Sequence, residues 1–321
     1  MFLTLEEVKS LISTNKILHI AGDESLLSQL PKGNWIGGTT PYFITNEGGV
    51  CTKEKLFVND LTSCANHKVK VYGEDVTESV VADSYDNGYA VLILPFSSPA
   101  AMSYAKKAPY SSDLLVKPVV GWISGFDLAT DGCAKVYDGT TGEVYTDKCV
   151  ALHIELPEHK IPAINIVNIF TADESGDVIT FDEDAFEVGE CFVNGVRTNF
   201  AKYIESSNVD TKLPLVADNN GIYINVSIKE VDDAAQIVKF YAPVLKGNEY
   251  RFAKLNGDYA EAFAKSIAEV GADQVAFSCN CILNYLYGNL EGKATPPFEG
   301  PVTFGEVAYQ LLNQTLVYIE Y

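Results

Sequence analysis

The chain has 321 residues, 43 acidic against 23 basic, for a formal net charge of -20. That charge repels nucleic acid phosphate and anionic lipid, so neither nucleic acid nor a membrane surface is an expected partner. Hydrophobic residues at 47% and aromatics at 11% fit a globular protein, and no window approaches a continuous apolar span.

The start, Met1 to Glu7, lacks the basic and apolar pattern of a secretory signal. The seven cysteines, Cys51, Cys64, Cys133, Cys149, Cys191, Cys279 and Cys281, are odd in number and widely spread. Reduced thiols and a cytoplasmic address are expected from both features. The length exceeds that of one ordinary domain, which suggests two lobes, 1–160 and 161–321.

Thr4 and Glu7 form a capping-box pattern, and Leu5, Val8, Leu11 and Ile12 mark one face of a first helix. Ile17 to Gly22 reads as a buried strand, Asp23 to Leu30 as a short helix, and Asn34 to Pro41 as a strand ending in Gly37, Gly38, Thr39 and Thr40. Glycines at a strand end let the backbone approach something closely. Strands follow at Leu56 to Leu61, Lys68 to Tyr72 and Tyr89 to Pro95, the last leading through Ser97 or Ser98 into a helix over Ala100 to Ala108.

Leu115 to Asp127 is again an apolar strand opening into small residues, Gly121, Ser124 and Gly125. Cys133 to Tyr137, a turn at Asp138 to Gly142, Glu143 to Tyr145 and Cys149 to Leu156 predict a hairpin and further strands. Ile161 to Phe170 is strand-like. Phe192 to Ile204, with Phe192, Val196, Phe200 and Tyr203 on one side, predicts a short helix, and Pro214 to Gly221 ends in a predicted turn. Alternation from Ile222 to Ile228, then Val238 to Val244 and Glu249 to Lys254, predicts strands. A helix over Asp258 to Val270, with Gly271 just past it, precedes a strand at Gln274 to Cys281, a glycine-bearing loop and strand from Gly300 to Val307, and a last strand over Leu312 to Ile319. The fold class is therefore mixed α/β, with helices flanking mixed sheets.

The chemistry lies mostly in the last stretch. Ser278, Cys279 and Asn280 interrupt an apolar run, and polar groups there need partners from the protein or a ligand. Glu306, set between Gly305 and Val307, must be matched by a positive or hydrogen-bonding group, and Asn313 carries both donor and acceptor. Cys279 and Cys281 could converge on a soft metal or react as thiolate, or serve as small core residues. His153 lies in an apolar strand and suits a core position better than a ligand's. No His-Glu-x-x-His, Gly-x-Ser-x-Gly, Walker loop or dinucleotide fingerprint occurs.

The series Ala276-Phe277-Ser278-Cys279, Gly300 to Val307 with its Phe304-Gly305-Glu306 core, and Asn313-Gln314-Thr315-Leu316 resembles the C-terminal half of FIST domains, the sensory modules of F-box and intracellular signal-transduction proteins. Gly37-Gly38-Thr39-Thr40 resembles their early Gly-Cys-Ser-Thr turn, and Gly121 to Asp127 a later glycine turn. Cys281-Ile282 stands where the family has Gly-Arg, and Leu312 where a His often precedes Asn-Gln-Thr. The resemblance implies two related lobes and a pocket for a small molecule, an amino acid or a derivative, where strand ends and glycine turns meet. With no output domain in the chain, such a sensor is expected to signal through a separate protein. Some FIST proteins bind haem, which leaves a haem or metal sensor as an alternative, with His153, Cys279 and Cys281 as candidate ligands. A thiol-dependent enzyme built on Cys279, with Glu306 as base, is the other.

Overall fold

A computed structural model describes residues 1–219, 221–255, 257–270 and 275–321. Gly271, Gln274 and Asn220, which the sequence placed at a helix end, a strand start and a turn, lie outside them.

Three six-stranded sheets carry the fold. The first unit runs β1 (Phe2–Leu3), α1 (Leu5–Ser13), β2 (Leu18–Gly22), α2 (Glu24–Leu27) and β3 (Trp35–Thr39), then a hairpin of β4 (Tyr42–Thr45) and β5 (Gly48–Cys51), then β6 (Leu56–Asp60). The second repeats this order: β7 (Asn66–Tyr72), α3 (Val76–Ala82), β8 (Gly88–Pro95), α4 (Pro99–Lys107), β9 (Val119–Ser124), the hairpin β10 (Val136–Asp138) and β11 (Glu143–Tyr145), and β12 (Cys149–Glu155). The third begins with β13 (Ala163–Val167) and is interrupted by an insertion of strands, from β14 (Thr171–Ala172) to β23 (Arg251–Lys254), and α5 (Phe200–Ser206). It resumes with α6 (Tyr259–Ala268), β24 (Val275–Cys281), α7 (Ile282–Tyr287), β25 (Gly300–Thr303), the hairpin β26 (Glu306–Ala308) and β27 (Gln310–Leu312), and β28 (Leu316–Glu320).

In every unit the two strands joined through a helix pair in parallel, and the closing strand lies antiparallel to the first of them. The hairpin, however, leaves its own sheet. That of the second unit pairs with β3, that of the third with β9, and that of the first with β25. Each unit thus lends its hairpin to another, and the exchange closes into a cycle. The repeat is threefold in topology, where the family resemblance implied two related lobes. A line drawn between 160 and 161 crosses two of the three sheets, because each of those draws strands from both sides.

Local sequence explains the elements. Thr4 caps α1, with Glu7 Oε2 accepting the Thr4 N–H at 2.8 Å, and Val8 and Ile12 pack on Leu18, Ile20 and Trp35. The inner faces of all three sheets meet in one core that holds Ile36, Val91, Phe277 and Val317. At its centre the Trp122 indole N–H donates to His19 Nε2 at 2.7 Å, and the Phe277 ring stands edge-on to His19 at 5.1 Å. One residue from each sheet meets there. Burial pushes His19 down to about 3, so the ring is neutral and can accept.

The predicted helix over 192–204 starts late. Asn194 and Gly195 both have positive φ, 50° and 80°, the geometry of a tight hairpin turn, and they join β17 (Glu190–Val193) to β18 (Val196–Asn199). Only from Phe200, capped by Asn199, does the chain become helical. Likewise Leu215–Asn219 is a strand, paired with Ile222–Val226, rather than the approach to a simple turn.

A Cβ on Gly38 would lie 2.7 Å from both Ile93 and the Trp122 ring. Gly38→Ala should therefore cost about 1–3 kcal/mol by overpacking the junction of the first two sheets. Urea denaturation reads this directly, and an unchanged midpoint would mean that Trp122 yields freely.

Candidate functional site

The C-terminal ends of the three parallel strand pairs converge, and the exchanged turns tie them together. Thr39 Oγ1 donates to the Gly125 carbonyl at 2.7 Å, while the Gly125 N–H returns a 2.7 Å bond to the Thr39 carbonyl. Thr40 Oγ1 donates to the Val302 carbonyl at 2.7 Å, and the Phe304 N–H to the Ile123 carbonyl at 3.0 Å. Thr40, Ser124 and Thr303 occupy matching places, each two residues past the last strand residue paired with a borrowed hairpin (Gly38, Trp122, Pro301). All three are fully buried.

In open α/β sheets ligands bind beyond the carboxyl ends of the strands, where connections diverge. The first unit has a cavity of about 410 Å³ there. Thr39, Thr40 and Gly125, nominated from the sequence, form its floor. Its rim adds Asp23 and Glu24 from the turn into α2, Lys53 from beyond β5, and Asp127, Thr130 and Cys133 from the loop after β9. Lys53 Nζ lies 2.8 Å from Asp127 Oδ2, and that contact holds the Asp127 carboxyl below its ordinary range and the Lys53 ammonium above its own. Glu24 of the rim is paired with Lys135. The cavity is therefore polar and presents charges of both signs at a boundary between two units.

The other nominated residues are placed elsewhere. Gly37 and Gly121 are buried mid-strand, and a Cβ on Gly121 would fall 1.9 Å from the Leu92 carbonyl oxygen, so close pairing of β8 and β9 accounts for that glycine. Ser278 Oγ donates to the Glu299 carbonyl at 2.8 Å, and Asn280 Oδ1 accepts from Asn284 at 2.9 Å. Asn313 is buried, its amide donating to the Leu312 carbonyl at 3.0 Å. Phe304 reaches a different cavity, on the second unit.

Cys279 points into the central core, 3.4 Å from the Gly121 carbonyl, and burial pushes its thiol well above the ordinary value. A thiol so placed resists ionisation. Cys281 belongs to the neighbouring cluster that includes Phe263 and Ile267 of α6, so the two sulfurs serve different packing surfaces. His153 Nε2 donates to the Tyr72 hydroxyl at 2.7 Å, which in turn donates to Asp83 at 2.9 Å; burial lowers this histidine to about 4. Among the described residues no group of three or more His, Cys, Asp or Glu side chains could hold a metal.

Glu306 is met by hydroxyls rather than by a cation. Fully buried at the start of the hairpin lent to β9, it takes the Thr315 hydroxyl at 2.8 Å and the Thr315 N–H at 3.3 Å on one oxygen, with Thr303 Oγ1 3.2 Å from the other. Gly305, with φ of 150°, makes the turn that places it. Burial pushes its carboxyl up to about 8, so it is protonated at neutral pH and can donate to Thr303, whose own hydroxyl donates to the Asn280 carbonyl at 3.2 Å. Its role is to fasten the exchanged hairpin.

The sequence reading missed Asp23, Lys53 and Thr130. Asp23 could have been found as a capping residue directly after a strand end, because its Oδ1 accepts the Ser25 N–H at 3.0 Å. Lys53 carried no local signal, since the β4–β5 hairpin brings it to the site.

Two measurements check these assignments. A folded-state carboxyl raised from 4.5 to about 8 keeps a proton that the unfolded chain releases, so the Glu306 contribution makes stability fall as pH rises through that window. Glu306→Gln should flatten that part of the dependence and stabilise the protein at pH 8; parallel urea curves for both proteins across pH 5–9 would refute the assignment. Alkylation of the native protein by iodoacetamide, followed by peptide mapping, should label exposed Cys51 and Cys133 while Cys279 and Cys281 react only after unfolding.

Residues 3–321 match a family described as a family of unknown function, DUF6976, and the chain belongs to it. No curated protein matches the chain.

Proposed function

We propose that this DUF6976 member is a small-ligand-binding sensory protein whose ligand occupies the polar cavity beyond β2 and β3. The observation that carries this reading is the cavity itself: about 410 Å³ of polar space at the strand ends, floored by Thr39, Thr40 and Gly125. Its volume suits a small metabolite. Lys53, on exchanging Asp127 for the ligand, can meet a carboxylate, while Asp23, which forms no ion pair with the described residues, can meet an ammonium group, so a zwitterion such as an amino acid or a derivative is the ligand class that fits. The resemblance to FIST domains supports the sensory half of the reading.

A ligand there would touch both the first unit, through Asp23 and Thr39, and the second, through Gly125 and Asp127. Binding would draw the long loop after β9 toward α2, and a change in that exposed loop is what a separate signalling protein could read. A thiol-dependent enzyme is the second reading, favoured by one observation: exposed Cys133 opens onto the same cavity.

The test is a thermal-shift screen with amino acids, their N-acyl and decarboxylated derivatives, and dicarboxylates. A true ligand at 100-fold excess over its Kd stabilises by about 2.7 kcal/mol, which should raise Tm by about 5 °C. Lys53→Ala should weaken it at least tenfold by calorimetry. If no compound in the panel shifts Tm, the zwitterion reading fails. If Cys133→Ala abolishes a measured turnover, the enzyme reading replaces it.

A further inference from the structure

The second unit has a cavity where the first has its polar one. Residues just past β8 (Phe96, Ser97), the end of β9 (Ile123) and the turn of the third unit (Phe304) correspond to residues just past β2, the end of β3 and the turn of the second unit. In the third unit Tyr285 of α7 packs on Tyr42 of the borrowed hairpin at 5.7 Å between ring centres. The same architectural position is thus a polar cavity in the first unit and an apolar one in the second.

The apolar version encloses about 170 Å³, and the insertion roofs it with Phe186, Lys229 and Tyr241. Phe96 and Phe304 form an edge-to-face wall, 5.3 Å between centres. The two lysines on the rim differ. Lys239 is held 2.9 Å from Glu230 and lies opposite Glu187 in the sheet, so its charge is matched. Lys229 forms no ion pair with the described residues, and its Nζ sits over the Phe96 ring at 5.3 Å from the centre. Ser97, also on the wall, has φ of 59°, a left-handed conformation that a serine seldom adopts in a strand-to-helix turn.

We propose that this cavity is a second binding site and that it takes a small aryl carboxylate. The ring lies against Phe96, Phe304 and Tyr241, and the carboxylate meets the Lys229 ammonium and the Ser97 hydroxyl. An aromatic wall with one unmatched cation at its edge selects for this pairing of flat apolar body and single negative charge. The volume limits the ligand to one ring with a short side chain. The N-terminal amides of α4 do not compete for the anion: Pro99 has none, and those of Ala100 and Ala101 are already engaged by Asp147 and Ser98.

Calorimetric titration of the full chain with phenylacetate, phenylacetamide and 2-phenylethylamine tests the proposal. Phenylacetate should bind at least tenfold more tightly than the amide or the amine. Lys229→Ala should erase that preference while leaving Tm unchanged, whereas Lys265→Ala, an exposed lysine on α6, should preserve it. Equal binding of the amide or amine, a Lys229→Ala protein that keeps the preference, or no binding of benzoate, phenylacetate or 3-phenylpropionate at millimolar concentration would each overturn it.

Discussion

The cyclic exchange of hairpins is the constraint on which the rest of this structure depends, because each sheet would otherwise end in an exposed second parallel strand. Without β10, β26 and β4, the outer edges of β3, β9 and β25 would present unpaired amides and carbonyls. By lending hairpins around a cycle, the units cover all three edges and bury their inner faces in one core. The contact of His19, Trp122 and Phe277 at its centre depends on all three sheets being in place. A substitution that loosens one hairpin therefore exposes an edge in another unit.

The same exchange creates the cavities. A chain leaving a parallel strand must turn away toward another sheet, and its departure leaves space beyond the strand end. In the first unit that space is bordered by charged residues and in the second by aromatic ones, while in the third Tyr42 packs on Tyr285. Phe304 connects the two open cavities: it walls the apolar one, packs on Phe126 at 5.2 Å, and lies where any side chain on Gly125 would have to go. Gly125 and Phe126 in turn border the polar cavity. A shift of Phe304 would be felt on both sides.

Glu306 shows how a suggestive residue can serve the fold. A carboxylate in an apolar strand required a partner, and the partners are Thr303 and Thr315, hydroxyl groups that a protonated acid satisfies without a buried charge. Cys279 is similar in that its position in the last strand pair places it against Gly121 of another unit, buried in the core.

The mixed α/β class, the capping box at Thr4, most strands and the small-residue strand ends were legible in the sequence, because they follow from local spacing, alternation and turn chemistry. Thr39, Thr40 and Gly125, which line the polar cavity, were legible as strand-end residues for the same reason: a strand that ends in small and hydroxyl residues advertises close backbone approach. The helix expected at 192–204 failed where an Asn-Gly turn outweighed apolar spacing. What only the tertiary structure decided was which strand ends stay open. Lys53 reaches the polar cavity, and Lys229 the apolar one, through hairpin exchange and an inserted roof, both set by contacts between residues far apart in the chain. The threefold order was hidden for a related reason, since strand pairing repeats through backbone hydrogen bonds that place little demand on side-chain identity.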